Sequence, residues 1–247
     1  MKTPHCLIVG GTRGIGRALT HLLAESGHNL SVVGRRLPEI AAPSNLRYLA
    51  ADLSQPQGVL DLVRESICVQ GPLTGAVFLQ RFRGEGDSWE GELRTTLTAT
   101  KFLIENLVAS FASDGGAMVL VSSNAGRYVA RNQPLSYHVA KAGLNQMTRY
   151  FAAVLGKKGI RVNAVSPCTV LKEESQKFYL ENEKLQELYR TITPLGRMGT
   201  AREVAQVIAF LLCPQSSFVT GQELYVDGGM SLLLHDAMAR EVRGLGL

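Results

Sequence analysis

The stretch from Cys6 to Gly27, CLIVGGTRGIGRALTHLLAESG, constrains this chain more than any other. A short apolar run leads straight into Gly10, Gly14 and Gly16, and then into a segment with helical periodicity over Ile15–Ser26. Strand, glycine turn and helix in that order let backbone approach a pyrophosphate, with the phosphates at the positive end of the helix dipole. Glycine permits the dihedrals that such a turn needs. A turn packed for structural reasons alone would read the same way in isolation. Its place at the first strand–helix junction favours a dinucleotide.

Six further apolar runs follow: LSVVG, LRYLA, GAVFL, AMVLVS, IRVNAV and ELYV. They alternate with helix-patterned segments, the longest being Leu135–Leu155. The runs are nearly continuous rather than alternating, as expected where helices cover both faces of a sheet, and parallel strands require such helical crossovers. This order predicts an α/β fold, a Rossmann-like doubly wound parallel sheet of about seven strands flanked by helices, in one domain over 1–247. With 45% hydrophobic residues and 25 glycines in 247, the chain can fill that core. The net charge is +5, but the 26 basic residues are scattered among 21 acidic ones, with no run longer than Arg35-Arg36 or Lys157-Lys158. That pattern argues against nucleic acid as a partner. Cys6, Cys68, Cys168 and Cys213 form no CxxC pair and read as buried free thiols in a reducing compartment. The five histidines show no metal-ligand spacing, so no metal is expected. No stretch approaches membrane-spanning length, and glycines interrupt the N-terminal apolar segment too early for a signal peptide. A cytoplasmic protein with no membrane partner is expected.

In YHVAK, Tyr137 and Lys141 are four residues apart, so a helix places both side chains on one face. A neighbouring ammonium stabilises a phenolate and makes the tyrosine a usable acid/base. The GxxxGxG spacing, Asp52 after the third strand, Tyr-x-x-x-Lys, and the segments IRVNAVSPC, TPLGRMGTAREVA and TGQELYVDGG together resemble the short-chain dehydrogenase/reductase family over nearly the whole chain. The resemblance implies hydride transfer between a nicotinamide and the carbonyl or hydroxyl carbon of a small molecule. Tyr137 would be the acid/base, Lys141 would also bond the nicotinamide ribose, and Ser123 in VLVSSNAG would polarise the carbonyl. The interval to Tyr137 is one residue longer than is common, which leaves Ser122 as an alternative. The implied cofactor contacts are Gly10, Thr12, Arg13, Gly14, Ile15, Gly16, Arg35, Arg36, Asp52 at the adenine, Leu53, Tyr137, Lys141, Pro167 and Val170. Gly34-Arg35-Arg36 stands where an acidic residue would bind the ribose hydroxyls of NAD, and Arg13 lies in the turn, so NADP(H) is preferred over NAD(H). The resemblance also implies a variable substrate lid over 172–190 and a homo-oligomer, tetramer or dimer, built partly with the tail 232–247.

Three departures from the family pattern stand out. Phe78, Leu79, Gln80 and Arg81 replace Asn-Asn-Ala-Gly; Thr96 replaces an asparagine that supports a proton-relay water; and Ser166-Pro167-Cys168 lacks a glycine. Arg81 and Arg83 follow the fourth strand, and Arg127 and Arg131 follow the fifth, so both loops should border one cleft. These four arginines suit an anionic substrate, such as a nucleotide-linked or acidic sugar or an acyl chain on a phosphopantetheine carrier. Arginines facing water are an equal reading. Two other functions remain open: a 3-oxoacyl-carrier-protein-type reductase, and an NADP-binding structural or regulatory subunit with weak or no turnover.

Overall fold

The computed structural model describes residues 3–39, 42–84 and 88–245; the ends of the expected domain and the last two residues of the expected tail lie outside them. The chain begins β1 (His5–Val9), α1 (Gly14–Glu25), β2 (Asn29–Gly34), β3 (Leu46–Ala50), α2 (Pro56–Gln70) and β4 (Gly75–Phe78). It continues with α3 (Ser88–Leu93), a π-helical turn (Arg94–Thr98), α4 (Ala99–Leu107), β5 (Gly116–Val121), α5 (Leu135–Leu155) and β6 (Ile160–Pro167). Then come β7 (Val170–Leu171), α6 (Gln176–Leu180), α7 (Glu183–Ile192), β8 (Gly199–Thr200), α8 (Ala201–Leu212), β9 (Glu223–Val226) and α9 (His235–Val242).

Seven strands form one sheet in the order β3-β2-β1-β4-β5-β6-β9, and every pairing in it is parallel. From β1 the chain winds outward through β2 to β3, then crosses back to β4 on the other side of β1. That reversal opens a crevice at the carboxyl ends of β1 and β4. The seven apolar runs of the sequence are these seven strands.

Because side chains alternate across a strand, successive residues of β1 feed different layers. Leu7 and Val9 join Val63, Leu103, Ile104, Leu144 and Phe151 from α2, α4 and α5. Cys6 and Ile8 join Leu19, Leu23, Ile208 and Leu211 from α1 and α8. Each such side chain, fully withdrawn from water, contributes about 1.5–3 kcal/mol. The four cysteines are free, as expected, but only Cys6 is buried. Cys68 is exposed and Cys168 and Cys213 are half-buried, because they fall at a helix surface and in loops rather than in strand centres. No helix among the described residues is long and apolar enough to cross a membrane, and no metal-holding cluster of His, Cys, Asp or Glu occurs among them.

The segment between β7 and β8 is an insertion closed at its base by a two-residue parallel ladder, Val170 with Gly199 and Leu171 with Thr200. Directly after it, Thr200 and Glu203 form a reciprocal capping box at the start of α8. Arg197 grips the same Glu203 with both nitrogens, at 2.6 and 3.1 Å, and this hydrogen bonding holds its carboxyl down at about 2.

At the amino end of β1, the His5 Nδ1 proton goes to the Gly71 carbonyl (2.6 Å) while Nε2 accepts from Ser31 (2.7 Å), which in turn meets Ser66 (2.7 Å). Burial pushes His5 below its ordinary 6.5, against the opposing hydrogen bond to Gly71. A histidine depressed in the folded state contributes stability above its unfolded value, and that contribution is lost as pH falls through the folded one. The melting temperature should therefore drop on acidification below 6.5, and His5→Asn should flatten the drop. His28, shifted the same way by burial, keeps part of the slope. Parallel melting curves for the variant and the parent across that range would refute the assignment.

Candidate active site

The turn between β1 and α1 is built by close approach. A Cβ on Gly16 would stand 2.2 Å from the Gly10 carbonyl oxygen, and one on Gly10, whose φ is +86°, would meet the backbone of Gln80 at 3.0 Å. Thr12 lies over Gly34 at the end of β2, so a side chain there has no room. Arg13 is the N-cap residue of α1 and is exposed, while Ile15 packs into the α1–α8 layer. Arg35 and Arg36 are exposed at the carboxyl end of β2. Arg35 Nη2 donates to the Arg83 carbonyl at 2.9 Å, and neither arginine makes an ion pair among the described residues. Asp52 closes a local turn by accepting from Ser54 N (2.9 Å), and Leu53 packs on the α2 side. Pro167 ends β6, and Val170 is buried in β7.

The N-terminus of α1 already holds an anion from its own chain. Gly14 N donates to Glu174 Oε1 at 3.0 Å, and Arg17 makes ion pairs with Glu173 and with Glu174 (3.4 Å). Burial opposes ionisation of Glu174, but its hydrogen bonds to backbone N–H groups and the charges of Arg17 and Arg13 outweigh that and hold it below the usual carboxylate range. The Lys172 stem lies over Gly14. The start of the insertion is therefore strapped across the glycine turn.

At the carboxyl end of β5 the serines divide. Ser122 is buried and its hydroxyl donates to the Lys141 carbonyl (3.0 Å), which ties β5 to α5. Ser123 is half-buried, and its oxygen accepts only from Ala125 N (3.2 Å), leaving its proton available. Lys141 is buried with Nζ donating to the Val121 carbonyl at 2.9 Å, and it lies 5.6 Å from the Tyr137 ring centre. Arg81 faces the same ring with its guanidinium carbon 4.4 Å from the centre. Burial takes Lys141 down to about 8, with Glu92 pulling it up and Arg81 pushing it down. Two cations therefore stand against one phenol, an arrangement suited to passing a proton to or from an oxygen held there.

Of the four arginines, only Arg81 reaches Tyr137. Arg83 and Arg81 both depress Lys172, after its burial, so these three cations share one region. Arg127 is exposed and turns to Tyr225 and Tyr128, and Arg131 is exposed. Thr96 is fully buried and donates to Glu92 Oε1 at 2.5 Å. Gln80 donates to Thr100 (2.6 Å) and reaches the Thr95 carbonyl of the π turn (3.5 Å). Sequence reasoning missed Glu92 and Glu174. Glu92 carries one weak signal, its four-residue spacing from Thr96 on a helix, and Glu174 carries none.

A family model described as Enoyl-(Acyl carrier protein) reductase matches residues 9–231. A chloroplastic tropinone reductase homolog of Arabidopsis thaliana is 33% identical over 92% of this chain and 75% of its own length. A 3-oxoacyl-[acyl-carrier-protein] reductase of Mus musculus is 31% identical over 92% of this chain and 98% of its own. Among solved structures, the ligand-free aldohexose dehydrogenase of Thermoplasma acidophilum superposes with a TM-score of 0.84 at 22% identity, covering 95% of this chain and 96% of that one. The chain belongs to the short-chain dehydrogenase/reductase family, NAD(P)-dependent oxidoreductases acting on alcohol and carbonyl groups.

Proposed function

We propose that this protein is an NADPH-dependent carbonyl reductase whose substrate carries a negative charge. The observation that carries this reading is Arg81 on the Tyr137 ring, with Lys141 behind it and Arg83 and Lys172 close by. The turn fits a dinucleotide because Gly14 N–H already binds an anionic oxygen, that of Glu174, at the positive end of α1. Gly10, Thr12, Arg13, Gly14, Ile15 and Gly16 would line the phosphates, Arg35 and Arg36 would meet a 2′-phosphate, and Asp52, Leu53, Pro167 and Val170 would complete the contacts. A nicotinamide held by these residues would supply the hydride. Ser123 orients the carbonyl oxygen, Tyr137 gives it a proton, and Lys141 and Arg81 stabilise the charge left on the phenol oxygen. The insertion beginning at Lys172 acts as a lid that excludes water. The similarity to 3-oxoacyl-[acyl-carrier-protein] reductase favours a second substrate, an acyl chain on a phosphopantetheine, which is also anionic.

A homo-oligomer belongs to this reading. Val139, Tyr150 and Val154 are exposed on one face of α5, and Phe218, Leu232 and Leu234 are exposed near the carboxyl end. Light scattering should give a dimer or tetramer, and a monomer at micromolar protein would remove this part.

Tyr137→Phe should lower kcat at least about 100-fold and leave NADPH affinity nearly unchanged; retained turnover would refute the mechanism. Arg81→Ala should raise KM for phosphorylated or carboxylated ketones far more than for neutral ones, and equal losses would refute the anionic substrate. Glu174→Gln, by removing a competing charge, should tighten NADPH binding by roughly two- to five-fold. Gly16→Ala should abolish that binding, because its methyl group has no space beside the Gly10 carbonyl. Binding followed by nicotinamide fluorescence checks both variants, and weaker binding in Glu174→Gln would show that the strap supports the site.

A further inference from the structure

We propose that Glu92, held by Thr96, is a positioning residue: it is the buried counter-charge that keeps Lys141 in its ammonium form beside Tyr137. The proposal starts from the buried charges. Among the described residues, Lys141 is the one buried lysine or arginine, and Glu92 and Asp227 are the buried carboxylates. Asp227 is committed elsewhere, accepting from Asn124 Nδ2 (3.3 Å), Gly229 N (3.0 Å) and Ser231 N (2.9 Å) in the loop after β9. Among the described residues, Glu92 accepts from the Thr96 hydroxyl at 2.5 Å, one turn along its own helix. A carboxylate 3% exposed needs a cation near it.

The packing brings the two together. Phe82 lies against Gly91, where a Cβ would be 2.5 Å from the ring, and so draws α3 under the segment that follows β4. Leu97 of the π turn lies against Gly143 of α5, where a Cβ would be 2.9 Å away. These contacts set α3 and the π turn against α5 and against the segment that carries Arg81, whose guanidinium lies on the Tyr137 ring next to Lys141. π turns of this kind gather at functional sites. The charged and titratable groups facing Lys141 are Glu92 from α3, Arg81 from the segment after β4, and Tyr137 from α5; β5 offers only the Val121 carbonyl. His138 stacks on Tyr137 edge-on at 6.4 Å, with its ring nitrogens engaged by Ala130 N and the Pro134 carbonyl. Burial and Arg81 both drive the ammonium toward neutrality, and of the charged groups facing it Glu92 opposes them, beside the hydrogen bond to the Val121 carbonyl. In this chain a buried carboxylate one turn before Thr96 thus acts as the counter-charge to the lysine.

The functional meaning rests on the reading of Tyr137 and Lys141 given above, but the test needs no turnover. Protein labelled with 13C at lysine Cε is titrated by NMR, with Lys141→Met assigning the signal. The parent should titrate near 8. Glu92→Gln should move the midpoint down by on the order of one unit, and Arg81→Gln should move it up. A merely structural loss would loosen and hydrate the site, carrying Lys141 up toward its ordinary 10.5, so the sign separates the two roles. A Glu92→Gln midpoint that stays or rises overturns the proposal. Should Glu92→Gln not fold, Thr96→Val releases the carboxylate without removing its charge: a smaller fall supports the proposal, and an unmoved midpoint overturns it. Failure of Tyr137→Phe to abolish turnover would refute the mechanism while leaving this titration intact.

Discussion

In a sheet whose strands all run one way, every strand presents its carboxyl end at the same edge. With α2, α4 and α5 covering one face and α1 and α8 the other, both faces are filled by apolar side chains. Polar chemistry then has one region left to occupy, the carboxyl edge where the order reverses between β1 and β4. The glycine turn after β1, the arginine-bearing segment after β4, the serines after β5 and the insertion after β6 all converge there. Their convergence follows from strand direction alone and needs no attraction among them.

That convergence concentrates cations. Arg13, Arg35, Arg81, Arg83, Lys141 and Lys172 come from five separate stretches of chain. In water such charges would be screened within about 10 Å, but Lys141 is buried and Lys172 partly so, and there the repulsion persists. The structure answers it with carboxylates of two kinds. Glu92 is fixed inside, one turn from Thr96, and Glu173 and Glu174 arrive from outside on the insertion. The first belongs to the scaffold of the site, and the second pair sits on a segment joined to the sheet by only a two-residue ladder.

The five inner strands were legible in the sequence because burial on both faces writes itself as nearly unbroken apolar runs, and the edge strands β3 and β9, only partly buried, were legible from shorter apolar runs. Leu135–Leu155 was legible to the residue, since Pro134 before it and Gly156 after it mark both ends. Tyr137 and Lys141 were legible because a four-residue spacing on a helix fixes relative direction. Loops carry no such ruler: Arg81 and Arg127 both follow strands, yet one turns onto Tyr137 and the other onto Tyr225. Ladders of two residues, such as β7 with β8, are too short to leave a pattern. Nor does local sequence show that Glu174 meets Gly14, a contact spanning 160 positions. Glu92 reads on its own as one more helix-surface acid, and its burial beside Thr96 is visible only once the chain is packed.

The carboxylate of Glu174 on the Gly14 amide changes the kind of event that ligand entry is. A phosphate reaching that amide does not add charge to a vacant helix end; it replaces one anion with another. The donor stays occupied on both sides of the exchange, so the electrostatic gain is the difference between two similar contacts and is small. What the exchange would release is Glu174, while Glu173 keeps its ion pair with Arg17. Anion capture at α1 and detachment of Glu174 from Gly14 would thereby be a single step, linked through one side chain.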